Sequence, residues 1–232
     1  MLTTEALLVR RTPFREADLV VELFTRDLGR ISALARAAQK SRRRFGGSLE
    51  PMHTLSVSVL EGRGELFTLQ ESKLASARFR LTGDLDAMTT AGRALGWLRR
   101  STPPKHPEPA AWAAIITLLD ELDDPDRARA PELGLAEFGL ALLGAVGLGL
   151  ELDRCVACSR PCAPDQAALI DPKRGGLVCR ACGGGRIKLS AAARARLGRA
   201  AAAERPALIA EDASVALEIV EQALRQHAGV DA

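Results

Sequence analysis

The stretch His53-Thr-Leu-Ser-Val-Ser-Val-Leu60 puts Leu55, Val57 and Val59 on one side and Thr54, Ser56 and Ser58 on the other. A two-residue period of this kind belongs to a strand with one face in a core. Glu61-Gly-Arg-Gly64 follows as a hairpin turn, and Leu66 to Leu74 pairs back on it. Upstream, Leu19-Val-Val-Glu-Leu-Phe-Thr25 is rich in β-formers and stops at Arg26-Asp-Leu-Gly29-Arg30, where Gly29 supplies the positive φ of a tight turn. Ile31 to Ala35 resumes as a strand, and Thr4 to Arg10 supplies a fifth. Five short strands at this spacing suit a small closed barrel, of which the OB-fold is the commonest nucleic-acid-binding form; an SH3-like barrel fits the same pattern.

From Asp84 the period becomes helical. Leu85, Met88, Ala91, Leu95 and Leu98 share a face, and Ser101-Thr-Pro-Pro104 ends it. A second helix is expected from Pro109 to Leu122, and a third, apolar nearly all round and so central, from Pro131 to about Gly149. Ser190 to Arg199, with Ser190 as N-cap, and Asp212 to Gln226 give two more. The fold class is therefore α+β. The expected organisation is a barrel over 1–80, a helical domain beginning over 81–152, a cysteine-bearing insert over 153–186 and closing helices over 187–232.

Composition narrows the function classes. The 232 residues are 47% hydrophobic and 26% charged, enough to bury a core. Arg outnumbers Lys 27 to 5, so clustering, not number, is what informs about the arginines. The longest apolar run, Phe138 to Leu150, is too short to span a bilayer, and Met1 to Arg11 lacks the apolar core of a secretory signal. With four of five cysteines in C-x-x-C pairs, a reducing, cytoplasmic setting is expected, with no membrane partner.

Those pairs are Cys155-Val-Ala-Cys158 and Cys179-Arg-Ala-Cys182. Each C-x-x-C turn aims two thiolates at one point, and two turns complete a tetrahedron round a zinc ion. Four thiolates leave no open position, so the expected role is one structural zinc per chain. Gly175-Gly176 and Gly183-Gly184 give such turns room. Arg154, Arg160, Arg180 and Arg186 would offset the site's negative charge; Cys162 is read as a bystander thiol, with competition for the metal as C-x-x-x-C with Cys158 the alternative.

A second cluster, Arg36-Ala-Ala-Gln-Lys40-Ser-Arg42-Arg43-Arg44-Phe45, has no acid between Asp27 and Glu50. Residues 1–80 hold 14 Lys and Arg against 9 Asp and Glu, while the remaining 152 sum to −2. A flexible basic loop beside Phe45 suits phosphate contact. The candidate nucleic-acid residues are Arg30, Arg36, Lys40, Arg42, Arg43 and Arg44. No catalytic residues are expected: the chain has no P-loop and no H-E-x-x-H, and His53, His106 and His227 are scattered. Glu16 and Asp18 are read as a surface or loop-holding pair on one side of a strand.

The chain resembles the bacterial RecO family of DNA repair proteins. The resemblance lies in Ala6-Leu-Leu-Val-Arg10, Phe14-Arg-Glu16-Ala-Asp18, Leu23-Phe-Thr25-Arg-Asp-Leu-Gly29-Arg-Ile-Ser-Ala-Leu-Ala-Arg36, Leu49-Glu-Pro51, Glu61-Gly-Arg-Gly64 and the two cysteine pairs, in that order. It implies an N-terminal OB-fold and a helical domain with a zinc-finger-like insert. It also implies binding of single- and double-stranded DNA, annealing of complementary strands, and help in loading RecA onto strands coated by single-stranded DNA-binding protein (SSB). The implied protein partners are RecR and the SSB C-terminal tail. A protein adaptor with only incidental DNA contact is the competing reading. One departure stands out: the family commonly has A-R-G-A-R/K where this chain has Ala35-Arg-Ala37-Ala-Gln39. If that Gly takes a positive φ, Ala37 is expected to force a different backbone, with Arg42 to Arg44 restoring charge.

Overall fold

The computed structural model describes residues 1–46, 48–62, 64–126 and 129–227; the side chains of Arg42 and His227 lie outside that description. Two compact units emerge, Met1–Pro125 and Asp126–Ala232.

In the first unit, β1 (Leu2–Phe14), β2 (Asp18–Thr25), β3 (Gly29–Ala35), β4 (Thr54–Leu60) and β5 (Leu66–Ser76) form a closed barrel in the order β1-β2-β3-β5-β4. All neighbours are antiparallel except β3 and β5, whose parallel pairing of Ser32 with Leu66 and Leu34 with Thr68 closes the circle. That order is the OB-fold, which strand spacing alone could not separate from an SH3-like barrel. One strand, β1, serves two partners. Leu2 to Leu7 pair with β4 and Ala6 to Phe14 with β2, with a bulge between Leu8 and Arg10 that bends the strand across the corner. The alternation in β4 is realised as expected: Leu55, Val57 and Val59 are fully buried, each contributing about 1.5–3 kcal/mol through removal from water. They pack with Ala6, Leu8, Val21, Leu23, Ile31, Phe67 and Leu69. Gly29 has φ 67°, and a Cβ there would collide with the His106 backbone, so the turn admits only glycine for two separate reasons.

The barrel is buttressed by α2 (Leu85–Ser101) and α3 (Pro109–Asp123). Asp84 caps α2 by accepting from the Asp86 and Ala87 N–H groups. Ala91, Leu95 and Leu98 are buried as the periodicity implies, but Leu85 and Met88 are exposed, so the apolar face is covered only beyond the first turn. Phe24 of β2 meets Trp112 of α3 with ring centroids 5.9 Å apart. Arg78, 2% exposed, ties the end of β5 to α3: its guanidinium donates to the Met52 carbonyl, to Thr54 Oγ1 and to Asp120 Oδ1. A buried cation is tolerated when each of its nitrogens finds an acceptor in this way.

In the second unit, α4 (Pro131–Ala145) packs against α5 (Ala191–Ala201) and α6 (Ala213–His227). It ends at Ala145, short of Gly149. Ser190 caps α5 through the Ala193 N–H at 3.1 Å. Between α4 and α5 lies a three-stranded sheet of β6 (Ala168–Asp171), β7 (Gly176–Leu177) and β8 (Ile187–Leu189), in the order β7-β6-β8. Among the described residues no helix is long and apolar enough to cross a membrane.

Candidate nucleic-acid surface and metal centre

The six cationic candidates divide by what their side chains touch. Arg30 is committed to the fold: Nε donates to the Thr102 carbonyl at 3.1 Å, Nη1 lies 3.7 Å from Glu22, and the side chain is 21% exposed. Glu22 is held in turn by Arg99 at 2.6 and 3.1 Å, and that hydrogen bond is the main reason the Arg99 pKa is raised. Arg44 is likewise a fastener. Nη2 donates to the Arg36 carbonyl at 2.7 Å, Nε to Ser41 Oγ at 3.2 Å, and the guanidinium lies 5.1 Å from the centre of the Phe45 ring. Lys40 is exposed and reaches Glu16 at 3.4 Å. Arg36 and Arg43 are exposed and have no acidic partner among the described residues. The Arg42 side chain lies outside the description.

Two expectations about this loop are corrected. Residues 42–45 form a one-turn helix, α1, and the loop before it is hydrogen-bonded through Ser41 N–H to the Ala37 carbonyl and Gln39 N–H to the Ala17 carbonyl. Phe45 is 2% exposed and sits in the barrel core, so it is no platform beside a basic loop. Ala37 adopts φ 52° despite its Cβ. Asp18 stabilises that conformation by accepting from the Ala37 N–H at 2.7 Å, so the chain keeps a left-handed residue there without glycine. Glu16 and Asp18 do not share a strand face: Glu16 is in the β1–β2 turn and Asp18 opens β2.

Sequence reasoning missed the rings that are presented to solvent. Phe14 is 42% exposed at the tip of the β1–β2 hairpin, with the Arg15 guanidinium 5.2 Å from its ring centre. Arg15 has no acidic partner among the described residues. The hairpin tip adjoins the basic loop through Ala17, Asp18 and Glu16. Phe79 is 72% exposed and lines, with Arg43, Lys73 and His53, a cleft of about 420 Å³. His53 itself is buried and its Nδ1 accepts the Arg78 N–H, so burial first and Arg78 second lower its pKa and keep it neutral. The available signal for Phe14 was the β-rich run continuing past Arg10 into an exposed turn.

The four paired cysteines meet. Cys155, Cys158, Cys179 and Cys182 bring their sulfurs within 4.8 Å of one another, and Cys162 is not in the group. None is in a disulfide. The local backbone explains the convergence. Ser159 N–H returns to the Cys155 carbonyl, Cys182 N–H to the Cys179 carbonyl, and Val156 N–H to the Leu177 carbonyl, which locks one knuckle against the other. Gly183 and Gly184 take φ 99° and 68° to complete the second turn. Tetrahedral coordination with metal–sulfur bonds of about 2.3 Å sets sulfurs about 3.8 Å apart; Cys158 and Cys179 stand 3.7 Å apart. The donor set therefore fits a metal ion. The Cys179 N–H, supported by those of Ala157 and Cys158, draws the Cys155 thiol down to about 6 against its burial. Hydrogen bonds to Cys179 and Cys158 push Cys182 up to about 12. Four sulfurs this close cannot all ionise unaided, and a cation at their centre removes that conflict.

The chain thus joins a closed OB barrel with an exposed cationic edge to a helical unit bearing paired cysteine knuckles. The model of Recombination protein O N terminal matches residues 1–78, and that of Recombination protein O C terminal matches residues 82–231. The chain belongs to the RecO family. The DNA repair protein RecO of Anaeromyxobacter sp. (strain Fw109-5) is 36% identical over 183 residues, covering 78% of this chain and 70% of that one. That of Myxococcus xanthus (strain DK1622) is 32% identical over 179 residues, covering 77% and 71%. That of Anaeromyxobacter dehalogenans (strain 2CP-C) is 34% identical over 234 residues, covering 96% and 90%.

Proposed function

We propose that the chain is a recombination mediator of the RecF pathway in the bacterial cytoplasm, associated with the nucleoid. It binds single- and double-stranded DNA through the barrel over residues 1–80, anneals complementary strands, and helps load RecA onto SSB-coated DNA, with RecR and the SSB C-terminal tail as partners. The observation that carries the reading is the exposed set Arg15, Arg36 and Arg43, which has no acidic partner among the described residues, together with the exposed Phe14 ring against Arg15. Annealing is opposed by phosphate repulsion. Cations without carboxylate partners lower that repulsion without reading base sequence, and an exposed ring accepts any base on its face. The four-cysteine site holds one zinc ion, closed to substrate, whose part is to fix the two knuckles.

The test is binding of labelled single strands across a salt series. Replacing Arg36 and Arg43 by Ala makes log K against log salt shallower by about 1.4, about 0.7 for each lost phosphate contact. Arg44→Ala, which removes a fastener of the loop, lowers stability first. Wild-type protein that ignores naked oligonucleotides in dilute buffer overturns the reading and leaves the adaptor in its place. Annealing of complementary oligonucleotides with and without SSB then tests the mediator role.

A further inference from the structure

The cysteine knuckles carry a second cationic surface. A cleft of about 250 Å³ opens on the small sheet, lined by Arg160, Arg180, Lys188 and Gln166, with Leu177 and Val178 behind it. Three separate elements present the cations. Arg160 follows the first knuckle, and its carbonyl accepts the Cys155 N–H at 2.9 Å. Arg180 begins the turn of the second knuckle, where the Gly183 N–H returns to its carbonyl at 3.1 Å. Lys188 lies on β8, opposite Leu169 of β6. All three are exposed, none has an acidic partner among the described residues, and no acid lines the cleft. Residues 154–188 hold seven Lys and Arg against two acids, and one of those, Asp171, is occupied in capping the Lys173 N–H. Cations held round one hollow without a counter-charge repel each other, and a bound anion relieves that repulsion.

We propose that this cleft is a second nucleic-acid contact, which grips backbone phosphates of a single strand independently of the barrel. The inference rests on the reading of the chain as a strand-annealing protein, for which each unit then offers its own cationic surface. Nucleic acid is favoured over an acidic peptide by two observations. Leu177 and Val178 are 3% and 0% exposed, so the cleft offers those side chains no open socket for an apolar anchor. The same segment, 154–188, also exposes Lys173, Arg174 and Arg186, further cations that a long polyanion can use and a short peptide does not need.

The experiment compares the full chain with the cysteine-segment variant R160A/R180A/K188A, called the ribbon variant, and with the barrel variant R36A/R43A, each checked for retained metal. Binding of labelled oligothymidylate over a salt series and annealing of complementary strands are the readouts. The ribbon variant is expected to keep its metal, to show a salt slope shallower by up to about 2, and to anneal more slowly. In parallel, photo-crosslinking of bromodeoxyuridine-labelled single strands to the unsubstituted protein should mark peptides within 154–188, a readout that needs no variant to fold. An unchanged slope and annealing rate with metal retained, or crosslinks confined to the first unit, overturns the proposal. So does a ribbon variant that loses only the binding of poly-glutamate. If the barrel variant alone loses its slope, the second contact falls and the barrel reading stands; if only the ribbon variant does, the barrel reading falls.

Discussion

Glu137 sits in the middle of α4, the most apolar helix of the chain, with its carboxylate 0% exposed. Oε1 accepts from Arg129 at 2.7 Å and from the Ala207 and Leu208 N–H groups at 2.8 Å each; Oε2 accepts from Arg205 and Arg129 at 3.0 Å each. Burial by itself raises the pKa of such a group. Arg129 first, then the two N–H groups, overcome it and hold the carboxyl at about 2, against an ordinary 4.5. A depression of that size is worth about 3 kcal/mol. Because the folded-state pKa is depressed, the unfolded chain binds more protons between the two values. The stabilisation is therefore complete above about pH 5 and is lost as pH falls toward 2. Glu137→Gln removes the charge at nearly constant shape and leaves Arg129 and Arg205 facing a neutral amide. The expected cost at neutral pH is about 3–5 kcal/mol. The gap between the two proteins should shrink by about 1 kcal/mol at pH 4 and about 2 kcal/mol at pH 3. Both tryptophans, Trp97 and Trp112, lie in the first unit, so fluorescence does not report on α4. Amide hydrogen exchange of peptides spanning residues 131–145, followed by mass spectrometry over that pH range, reads the opening free energy directly. Equal protection of the two proteins at neutral pH, or a gap that does not narrow in acid, would refute the account of Glu137 as the charged hub of the helical unit.

Phe45→Ala should lower the unfolding midpoint by an amount equivalent to about 3–5 kcal/mol, since the ring is core. Phe14→Ala should leave that midpoint in place and weaken single-strand binding by about 1–3 kcal/mol, measured by fluorescence anisotropy. Ala37→Gly should raise the midpoint by about 1 kcal/mol by relieving a left-handed alanine at φ 52°; a lower midpoint would mean that the Asp18 contact already removes the strain. Elemental analysis should find about one zinc per chain, and Cys179→Ser should abolish it and speed proteolysis within residues 153–186.

Local features were legible without coordinates. The alternation in β4, the turn at Gly29, the Ser190 cap and the paired C-x-x-C spacing each depend on residues within a few positions of one another, and each is found where it was expected. The same short range explains the misreadings. Phe45 follows five basic residues in the cluster and looked like their neighbour in space, yet the backbone turn at α1 delivers it to the core, while the exposed rings belong to Phe14 and Phe79.

What the chain alone determined is therefore its barrel strands, its longer helices and its paired-cysteine pattern, because backbone periodicity and ligand spacing act over a turn or two. Tertiary structure decided the closure of the barrel by β3 and β5. It also decided which arginines remain free: Arg99 meets an acid 77 residues away, Arg30 a carbonyl 72 away, and Glu137 draws partners from up to 71 positions away. Whether a charge is spent on the fold or left for a ligand depends on what lies across space from it, and no window of sequence contains that.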